Sequence, residues 1–318
     1  MKISVITPTY NRAELLKRLY KSLVENSQSG IEIEWLIMDD GSTDNTKQVV
    51  EELEKENNKI ELKYYKQENQ GKMVAINQLV EKTTGDLIID CDDDDYFMPN
   101  AFEIIKNIYD KVKDEKNIYA MCFLKYDQNG KNMGKIFKEE RTTMFDLYFK
   151  EGETGEKALV FFSDIRKKYK HELEKNEKFI TEARMYHKMD LENQMICINE
   201  PIMICEYQKE GYTKNIIEQF KASPYGYYEY FKEIFDHDMR NILFSKRLYV
   251  IKHYILFTYL TKTKHAIRNV KGVYNKILYI LLYFPGVIKT SIKFNWQQQN
   301  LWYNYNDWRL KQIQKERS

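Results

Sequence analysis

The composition describes a folded chain of ordinary size. It has 318 residues, of which 43% are hydrophobic and 14% aromatic, and its formal net charge is +2. These values exclude a disordered chain and leave room for one large domain, with or without an appendage. The four cysteines lack metal-ligand spacing and the sequence opens without a signal peptide, so we expect a reduced, cytoplasmic protein.

The first part of the chain predicts alternating strands and helices. Short apolar runs predict strands, and leucines and valines at helical spacing predict the helices between them. Asn11 and either Ser42 or Thr43 are suited to cap the first two helices. The predicted strands are 3–7, 34–38, 62–65, 87–89 and 119–124, and the predicted helices are 12–25, 44–56 and 73–82. Further along, we predict a strand at 158–162, a helix at 180–189 and one or two strands within 195–207.

Repeated strand–helix units predict an α/β fold with a largely parallel, doubly wound sheet. Ligands of such sheets bind at the carboxyl ends of the strands. Four polar loops follow predicted strands, at 7–12, 39–44, 68–72 and 92–95. Each loop alone could be ordinary turn chemistry, but together they predict one binding rim.

Residues 221–318 differ from the rest in charge. They contain 17 Lys and Arg against 6 Asp and Glu, a local charge of +11, which leaves −9 for residues 1–220. Their pattern is mainly helical, and the longest apolar stretch, 277–288, is shorter than the roughly 20 residues of a membrane-spanning helix. We therefore predict one domain over 1–220 and a helical C-terminal region over 221–318.

The most informative motif is the run of four aspartates at 92–95, directly after the apolar strand 87–89. Adjacent carboxylates repel one another, so a compact domain must compensate them with solvent, a basic side chain or a hard cation. Magnesium or manganese held between carboxylates and substrate phosphates explains the run. A solvated acidic loop is the alternative.

Three motifs, TPTYNR at 7–12, DDGSTD at 39–44 and DDDD at 92–95, occur in this order. In them the chain resembles family 2 glycosyltransferases, inverting enzymes with the GT-A fold that use nucleotide-diphosphate sugars. The resemblance covers residues 1 to about 215. Residues 206–213 are also similar to the segment that closes the catalytic domain in bacterial surface-polysaccharide members.

The resemblance implies a nucleotide site, with UDP as the expected nucleotide. Pro8 and Tyr10 would flank the nucleobase, and Asp40 would accept a hydrogen bond from a ring N–H of uracil. A capping or turn aspartate is the alternative for Asp40. Lys72 would neutralise phosphate, unless it is a solvated surface lysine. The other implied nucleotide contacts are Asn11, Arg12, Asp92 and Asp93.

The resemblance also implies a divalent cation, Mn²⁺ or Mg²⁺. The family's DxD motif aligns best with Asp92 and Asp94, because the spacing from Asp94 to Pro99 matches the usual run to a proline. Asp94 would then ligate the cation, and Asp92 would face the ribose and the metal-bound waters. The neighbouring Asp90, Asp93 and Asp95 leave a shift of this register open.

Inversion needs one base for the acceptor hydroxyl. The family places an acidic residue at the start of a helix downstream of the metal motif, which makes Glu182 the implied base, held ionised by the helix dipole. A plain first-turn glutamate is the alternative. Gly155, Glu156 and Lys157 resemble the family's acceptor-side loop, with a solvated turn as the competing interpretation.

The expected partners are a nucleotide-sugar donor and a saccharide acceptor on a growing surface glycan, with a polyprenyl-linked acceptor as one option. The basic, aromatic C-terminal region is predicted to rest peripherally on the inner face of an anionic membrane. The alternatives are that its helices pack on the catalytic domain or form an oligomer interface. Its aromatic residues include Tyr279, Tyr283, Phe284, Phe294, Trp296, Trp302 and Trp308.

Two other functions stay open at this point. A nucleotidyltransferase would need a glycine-rich basic loop near the first strand, and residues 7–12 contain no glycine. A non-catalytic sugar-nucleotide or nucleic-acid-binding module would use the basic tail on a degenerate transferase fold. The intact acidic set and Glu182 argue against that module, so we expect no nucleic-acid partner.

Overall fold

The computed structural model describes residues 1–27, 30–56, 59–206 and 216–295. Within these ranges the strands form one nine-stranded mixed sheet. The strands are β1 (Lys2–Thr9), β2 (Glu32–Asp39), β3 (Glu61–Lys66), β4 (Leu87–Asp90), β5 (Asp95–Phe97), β6 (Ile118–Asp127), β7 (Arg141–Thr142), β8 (Lys157–Phe162) and β9 (Gln194–Cys205). The helices are α1 (Ala13–Glu25), α2 (Thr46–Glu56), α3 (Lys72–Lys82), α4 (Ala101–Val112), α5 (Ser163–Arg166), α6 (Ala183–Met189), α7 (Ile216–Ala222), α8 (Pro224–Glu233), α9 (Phe244–Leu260) and α10 (Val273–Asn295).

The order and direction of the strands place the carboxyl ends of four strands at the same end of the sheet. The sheet runs β3-β2-β1-β4-β8-β6-β9-β5, with β7 paired to β9. Strands β3, β2, β1 and β4 are parallel neighbours, whereas β8 is antiparallel to both β4 and β6. The loops that follow β1, β2, β3 and β4 therefore leave the sheet at the same rim.

The central strands are continuous apolar runs in the sequence because both of their faces are buried. Strands β1, β2 and β4 are covered on both faces, and Val5, Trp35 and Ile89 are completely buried. Helix α1 buries Leu16, Leu19 and Leu23, which recur every three to four residues along one face.

The strands and helices predicted in the first 124 residues are all present, with end points that differ by a few residues. Where one or two strands were predicted from residue 195 onward, there is one long strand, β9, which continues through Pro201 with irregular pairing to β6. The helix predicted at 180–189 begins only at Ala183, so Glu182 is the residue before its first turn. Residues 207–213 of the predicted closing segment, and Trp296, Trp302 and Trp308, lie outside the described residues.

The predicted helix caps were wrong, because the loops cap each other. Asn11 has a φ of 54° and its side chain accepts from the Thr43 backbone N–H at 2.8 Å, whereas no side chain at the residue before α1 caps that helix. Asp44 accepts from the backbone N–H of Thr46 at the start of α2 and from that of Ala13 in α1. These bonds tie the loops after β1 and β2 together at the rim.

The chain divides into two compact units. The first comprises Met1–Gln208 and His237–Arg247, and the second comprises Lys209–Asp236 and Leu248–Ser318. The described part of the second unit is helical, with a core of stacked rings such as Tyr227 on Phe257. None of the described helices is long and apolar enough to cross a membrane. The predicted domain boundary at residue 220 stays a prediction.

Candidate active site

Loops from β1 and β4 meet at the rim through Asp93. Its carboxylate accepts a hydrogen bond from the Thr9 hydroxyl at 2.8 Å and another from Arg12 Nη1 at 2.9 Å. The Asp93 side chain is 6% exposed, so it faces the protein and holds the two loops together. Arg12 also reaches Asp94 Oδ2 at 3.3 Å.

Basic side chains from several elements compensate the acidic run. Two of them are completely or nearly buried, since Arg166 exposes none of its side chain and Lys125 exposes 12%. The ion pairs are Arg166–Asp90 at 3.2 Å, Lys72–Asp92 at 2.7 Å, Arg12–Asp93 at 2.9 Å and Lys125–Asp95 at 2.6 Å. The run is therefore not a solvated acidic loop.

Lys72 joins the acidic run to Glu182. Its Nζ lies 2.7 Å from Asp92 Oδ1 and 2.8 Å from Glu182 Oε1. The other Glu182 oxygen accepts from the Tyr186 hydroxyl at 3.1 Å. Burial alone would raise the pKa of Glu182, but the attraction and hydrogen bond of Lys72 outweigh it and lower that pKa to about 2. Lys72 therefore accounts for an ionised Glu182, and the contribution of the helix dipole stays a prediction.

Asp94 lies among the other carboxylates of the run. Burial raises the pKa of Asp94 to about 7, and repulsion from Asp92, Asp93 and Asp95 adds to the rise. Its side chain remains 17% exposed. The raised pKa means that nearby positive charge does not fully stabilise the ionised form of Asp94. A bound cation would supply that missing positive charge.

Asp40 connects the ends of β2 and β3. Its Oδ1 accepts from Gln67 Nε2 at 2.7 Å and from the Gln70 backbone N–H at 2.8 Å, and its Oδ2 accepts from the Gly71 backbone N–H at 2.8 Å. A carboxylate offers about four acceptor positions, so capacity for one further donor remains. Asp40 as a nucleobase contact stays a prediction, and these bonds give it a second role, which is to fix the loop that leads to Lys72.

Gly71 is required by this loop. Its φ is 99°, a region that other residues rarely adopt, and a Cβ there would overlap the Lys178 carbonyl oxygen. The loop is thereby held between Asp40 on one side and residue 178 on the other. Lys72, the first residue of α3, is placed by that restraint.

The two residues predicted to flank the nucleobase lie at the end of β1. Pro8 is buried within the strand, opposite Met38 of β2. Tyr10 follows the strand and exposes 47% of its surface, so its ring is accessible at the rim. Asn11 is engaged with the loop between β2 and α2.

The predicted acceptor-side residues have different surroundings. Lys157 exposes 1% of its side chain and pairs with the similarly buried Glu153 at 2.8 Å. A Cβ on Gly155 would overlap the backbone of Met133, so packing requires glycine there. Glu156 is 41% exposed and lies 3.8 Å from Lys125, which links it to Asp95. Glu156 is thus the accessible member of the three.

Several residues of the site were not predicted from the sequence. Arg18 donates to the Asp94 backbone carbonyl at 2.8 Å, stacks over Tyr96 and pairs with Glu206. Lys125 and Arg166 come from distant parts of the chain, and no local motif marks them. Only Tyr186 could have been predicted from the sequence, because it follows Glu182 by four residues and residues four apart on a helix are neighbours.

His171 is a further unpredicted neighbour of the site. It is 3% exposed, and neither ring nitrogen has a hydrogen-bond partner among the residues that the structure describes. Burial, reinforced by repulsion from Arg166, lowers its pKa to about 3. A neutral imidazole is therefore packed beside the charged residues of the rim.

The first part of the chain matches the model of glycosyl transferase family 2 over residues 4–189. An uncharacterized glycosyltransferase of Mycoplasma genitalium is 27% identical over 74% of this chain and 71% of its own length. The GalNAc(5)-diNAcBac-PP-undecaprenol beta-1,3-glucosyltransferase of Campylobacter jejuni is 30% identical over 40% of this chain and 40% of its own length.

Two solved structures share the fold. The structure of S. aureus TarS 1–349 in complex with UDP-GlcNAc aligns over 94% of this chain and 93% of the TarS chain, with a TM-score of 0.61 and 18% identity. The mannosyltransferase PcManGT from Pyrobaculum calidifontis, in complex with GDP-Man and Mn²⁺, covers 93% and 88%, with a TM-score of 0.55 and 15% identity. The predicted GT-A fold with its helical C-terminal region is confirmed, and the chain belongs to glycosyl transferase family 2.

Proposed function

We propose that this glycosyltransferase moves a sugar, with inversion, from a nucleotide-diphosphate donor to a hydroxyl of a growing surface glycan. The observation that carries the proposal is the placement of Lys72 between Asp92 and Glu182. Lys72 thus contacts both Glu182, the proposed base, and Asp92, a proposed contact of the donor. UDP is the expected nucleotide, and a lipid-linked acceptor is one candidate class, as the name of the Campylobacter relative supports.

The residues of the rim fit a divalent cation. Six carboxylates (Asp90, Asp92, Asp93, Asp94, Asp95 and Glu182) face four paired basic side chains (Arg12, Lys72, Lys125 and Arg166). The described residues hold no closed cage of three His, Cys, Asp or Glu ligands. Mg²⁺ in such sites uses one or two carboxylates and completes its shell with water and substrate phosphate. Asp94, with Asp92 beside it, would hold the cation.

The chemistry needs one proton transfer. The acceptor oxygen forms a bond to the anomeric carbon while the bond from that carbon to the diphosphate oxygen breaks, and Glu182 takes the hydroxyl proton. A bound Mg²⁺ or Mn²⁺ would stabilise the negative charge on the leaving nucleoside diphosphate. Tyr186 orients Glu182 by its hydrogen bond. Lys72 and Arg12 provide positive charge where the diphosphate would lie.

Thermal stabilisation tests the donor class directly. UDP-, GDP- and CDP-sugars would be added with and without Mn²⁺, and release of the nucleoside diphosphate would be followed in parallel. A ligand at a hundredfold excess over its dissociation constant stabilises by about 2.7 kcal/mol. We expect UDP-sugars to raise the melting temperature only with the cation. No stabilisation by any of the three classes would overturn the proposal.

A further inference from the structure

Helix α10 carries apolar side chains on two opposite sides. One side packs within the second unit: Tyr279 is 4% exposed and its ring lies 5.9 Å from that of Tyr254, and Gly286 lies against Ile255. The other side is open. The exposed apolar side chains of α10, each 49% to 76% exposed, are Val273, Tyr274, Ile277, Ile280, Leu281, Phe284 and Ile288.

These seven side chains form a continuous stripe. Ile277, Leu281, Phe284 and Ile288 are spaced by four, three and four residues, so they share one face of the helix. From Val273 to Ile288 the stripe is about 22 Å long at 1.5 Å per residue. Single exposed apolar residues are ordinary, but a continuous apolar face marks a binding surface. Since the opposite side is packed, α10 cannot bury the stripe by rotating.

The charges of the segment that contains the stripe are of one sign. Residues 248–295 contain eight Lys and Arg and no Asp or Glu. Basic residues precede the stripe and also follow it, at Lys289 and Lys293. The exposed basic residues are Lys252, Lys262, Lys264, Arg268, Lys271 and Lys276. Within the described part of the chain, these six make one ion pair with a carboxylate, between Lys271 and Asp236 at 2.6 Å.

We infer that the exposed face of α10 binds the surface of an anionic lipid bilayer, with the helix lying in the plane of that surface. An apolar stripe in a segment whose charged residues are all Lys and Arg is typical of helices that insert one face at the headgroup boundary. The basic residues would contact anionic headgroups. A second copy of this chain fits less well, because it would bring two basic surfaces together.

This inference concerns where the enzyme binds and does not depend on the donor or the metal. Vesicle binding is measured without nucleotide sugar, so failure of the proposed sugar transfer and failure of this inference are distinguishable. The full chain would be sedimented with vesicles of phosphatidylcholine alone, or with about 30% phosphatidylglycerol. We expect binding to the anionic vesicles only, weakened when salt rises from about 50 to about 300 mM.

Two variants locate the contact. Leu281→Glu with Phe284→Glu should lower the partition coefficient at least about tenfold, because it places two charges in the inserted face. Lys264→Glu with Arg268→Glu should lower it and reduce the salt dependence. The matched controls are Leu191→Glu, which changes an exposed leucine of the first unit, and Lys21→Glu with Lys47→Glu, which reverses two exposed lysines there. Both controls should bind like the unmodified chain.

Three results would overturn the inference. The first is equal binding to neutral and anionic vesicles, or no binding to either. The second is unchanged binding by the Leu281→Glu/Phe284→Glu variant, with thermal unfolding confirming that it is folded. The third is a dimer of the unmodified chain, seen by light scattering, that this double variant dissociates, which would make the face an interface between copies.

Discussion

Lys72 lies 2.8 Å from Glu182 and keeps that glutamate ionised far below the pH at which a free glutamate is protonated. A carboxylate with a pKa of about 2 is a weak proton acceptor, since a general base works best with a pKa nearer to the working pH. A diphosphate bound beside Lys72 would draw on the same positive charge. We therefore expect donor binding to raise the pKa of Glu182 and so to prepare the base for the acceptor.

Replacing Lys72 by Met tests this coupling. Without the lysine, burial is left to raise the pKa of Glu182, so the base is protonated over a wider range. The acidic limb of the pH–rate profile should then move to higher pH by about one unit or more. Lys72→Arg keeps the charge and should leave the limb near its original position. An unchanged pH–rate profile in Lys72→Met would show that ionisation of Glu182 does not control the rate.

Replacing Glu182 by Gln should affect chemistry and spare donor binding. The rate should fall by about 10²–10⁴, the usual contribution of a positioned base, while UDP affinity stays within a few fold. Kinetics and calorimetric UDP titration measure the two quantities. Glu192→Gln, on an exposed glutamate just beyond the end of α6, is the matched control. Near-normal turnover by Glu182→Gln would place the base elsewhere.

Replacing Asp94 by Asn should abolish cation-dependent binding of UDP and turnover together. The reason is that Asp94 is the proposed ligand. Asp92, Asp93 and Asp95 have basic partners within 2.9 Å, whereas the basic partner of Asp94, Arg12, lies at 3.3 Å. Calorimetric titration of UDP with Mn²⁺, and again with excess chelator, measures the effect. Asp114→Asn, on an exposed aspartate just after α4, should leave UDP affinity and turnover unchanged. UDP affinity that survives both the substitution and the chelator argues against a metal at Asp94.

Glu34 predicts how stability depends on pH. Its buried carboxylate accepts from Ser4 and Thr84 and pairs with Lys63; burial opposes ionisation, but these contacts prevail and lower the Glu34 pKa from 4.5 to about 2. Because the folded pKa lies below the unfolded one, the stabilisation is present above pH 4.5 and is lost as the pH falls toward 2. The difference amounts to on the order of 3 kcal/mol.

Urea unfolding at about pH 7 and about pH 3 measures this contribution. Glu34→Gln should lose most of it at the higher pH and be closer to the unmodified chain at the lower one. Glu54→Gln, on an exposed glutamate of α2, should stay within about 0.5 kcal/mol of the unmodified chain. The same gap between Glu34→Gln and the unmodified chain at both pH values would contradict the assignment.

Lys157 and Glu156 should behave differently although they are adjacent. Lys157→Met leaves the buried Glu153 without its cation and should destabilise the fold by about 3–5 kcal/mol. Glu156→Gln changes an accessible side chain and should alter the KM for the acceptor with little change in stability. Melting curves and acceptor kinetics separate the two effects. The reverse result would make Lys157 the acceptor contact.

The sequence predicted what local patterns determine. Apolar runs located β1, β2 and β4, and the three polar motifs located the rim. It could not supply Lys125 or Arg166, because an ion pair between residues 30 or 76 positions apart depends on the pairing of distant strands. The caps were wrong for a similar reason: Asn11 has a suitable side chain, but that side chain accepts from Thr43 in the loop between β2 and α2.

Asp40, Gly71 and Lys72 form one connected restraint, and this limits how the enzyme can be redesigned. Asp40 is the predicted nucleobase contact and therefore the residue to change for an altered nucleotide preference, yet its carboxylate also accepts a hydrogen bond from the N–H of Gly71. Losing that bond loosens the residue next to Lys72, which positions Glu182. We therefore expect a change at Asp40 that alters donor choice to alter turnover as well, and an altered preference to need a compensating change in the 67–71 loop.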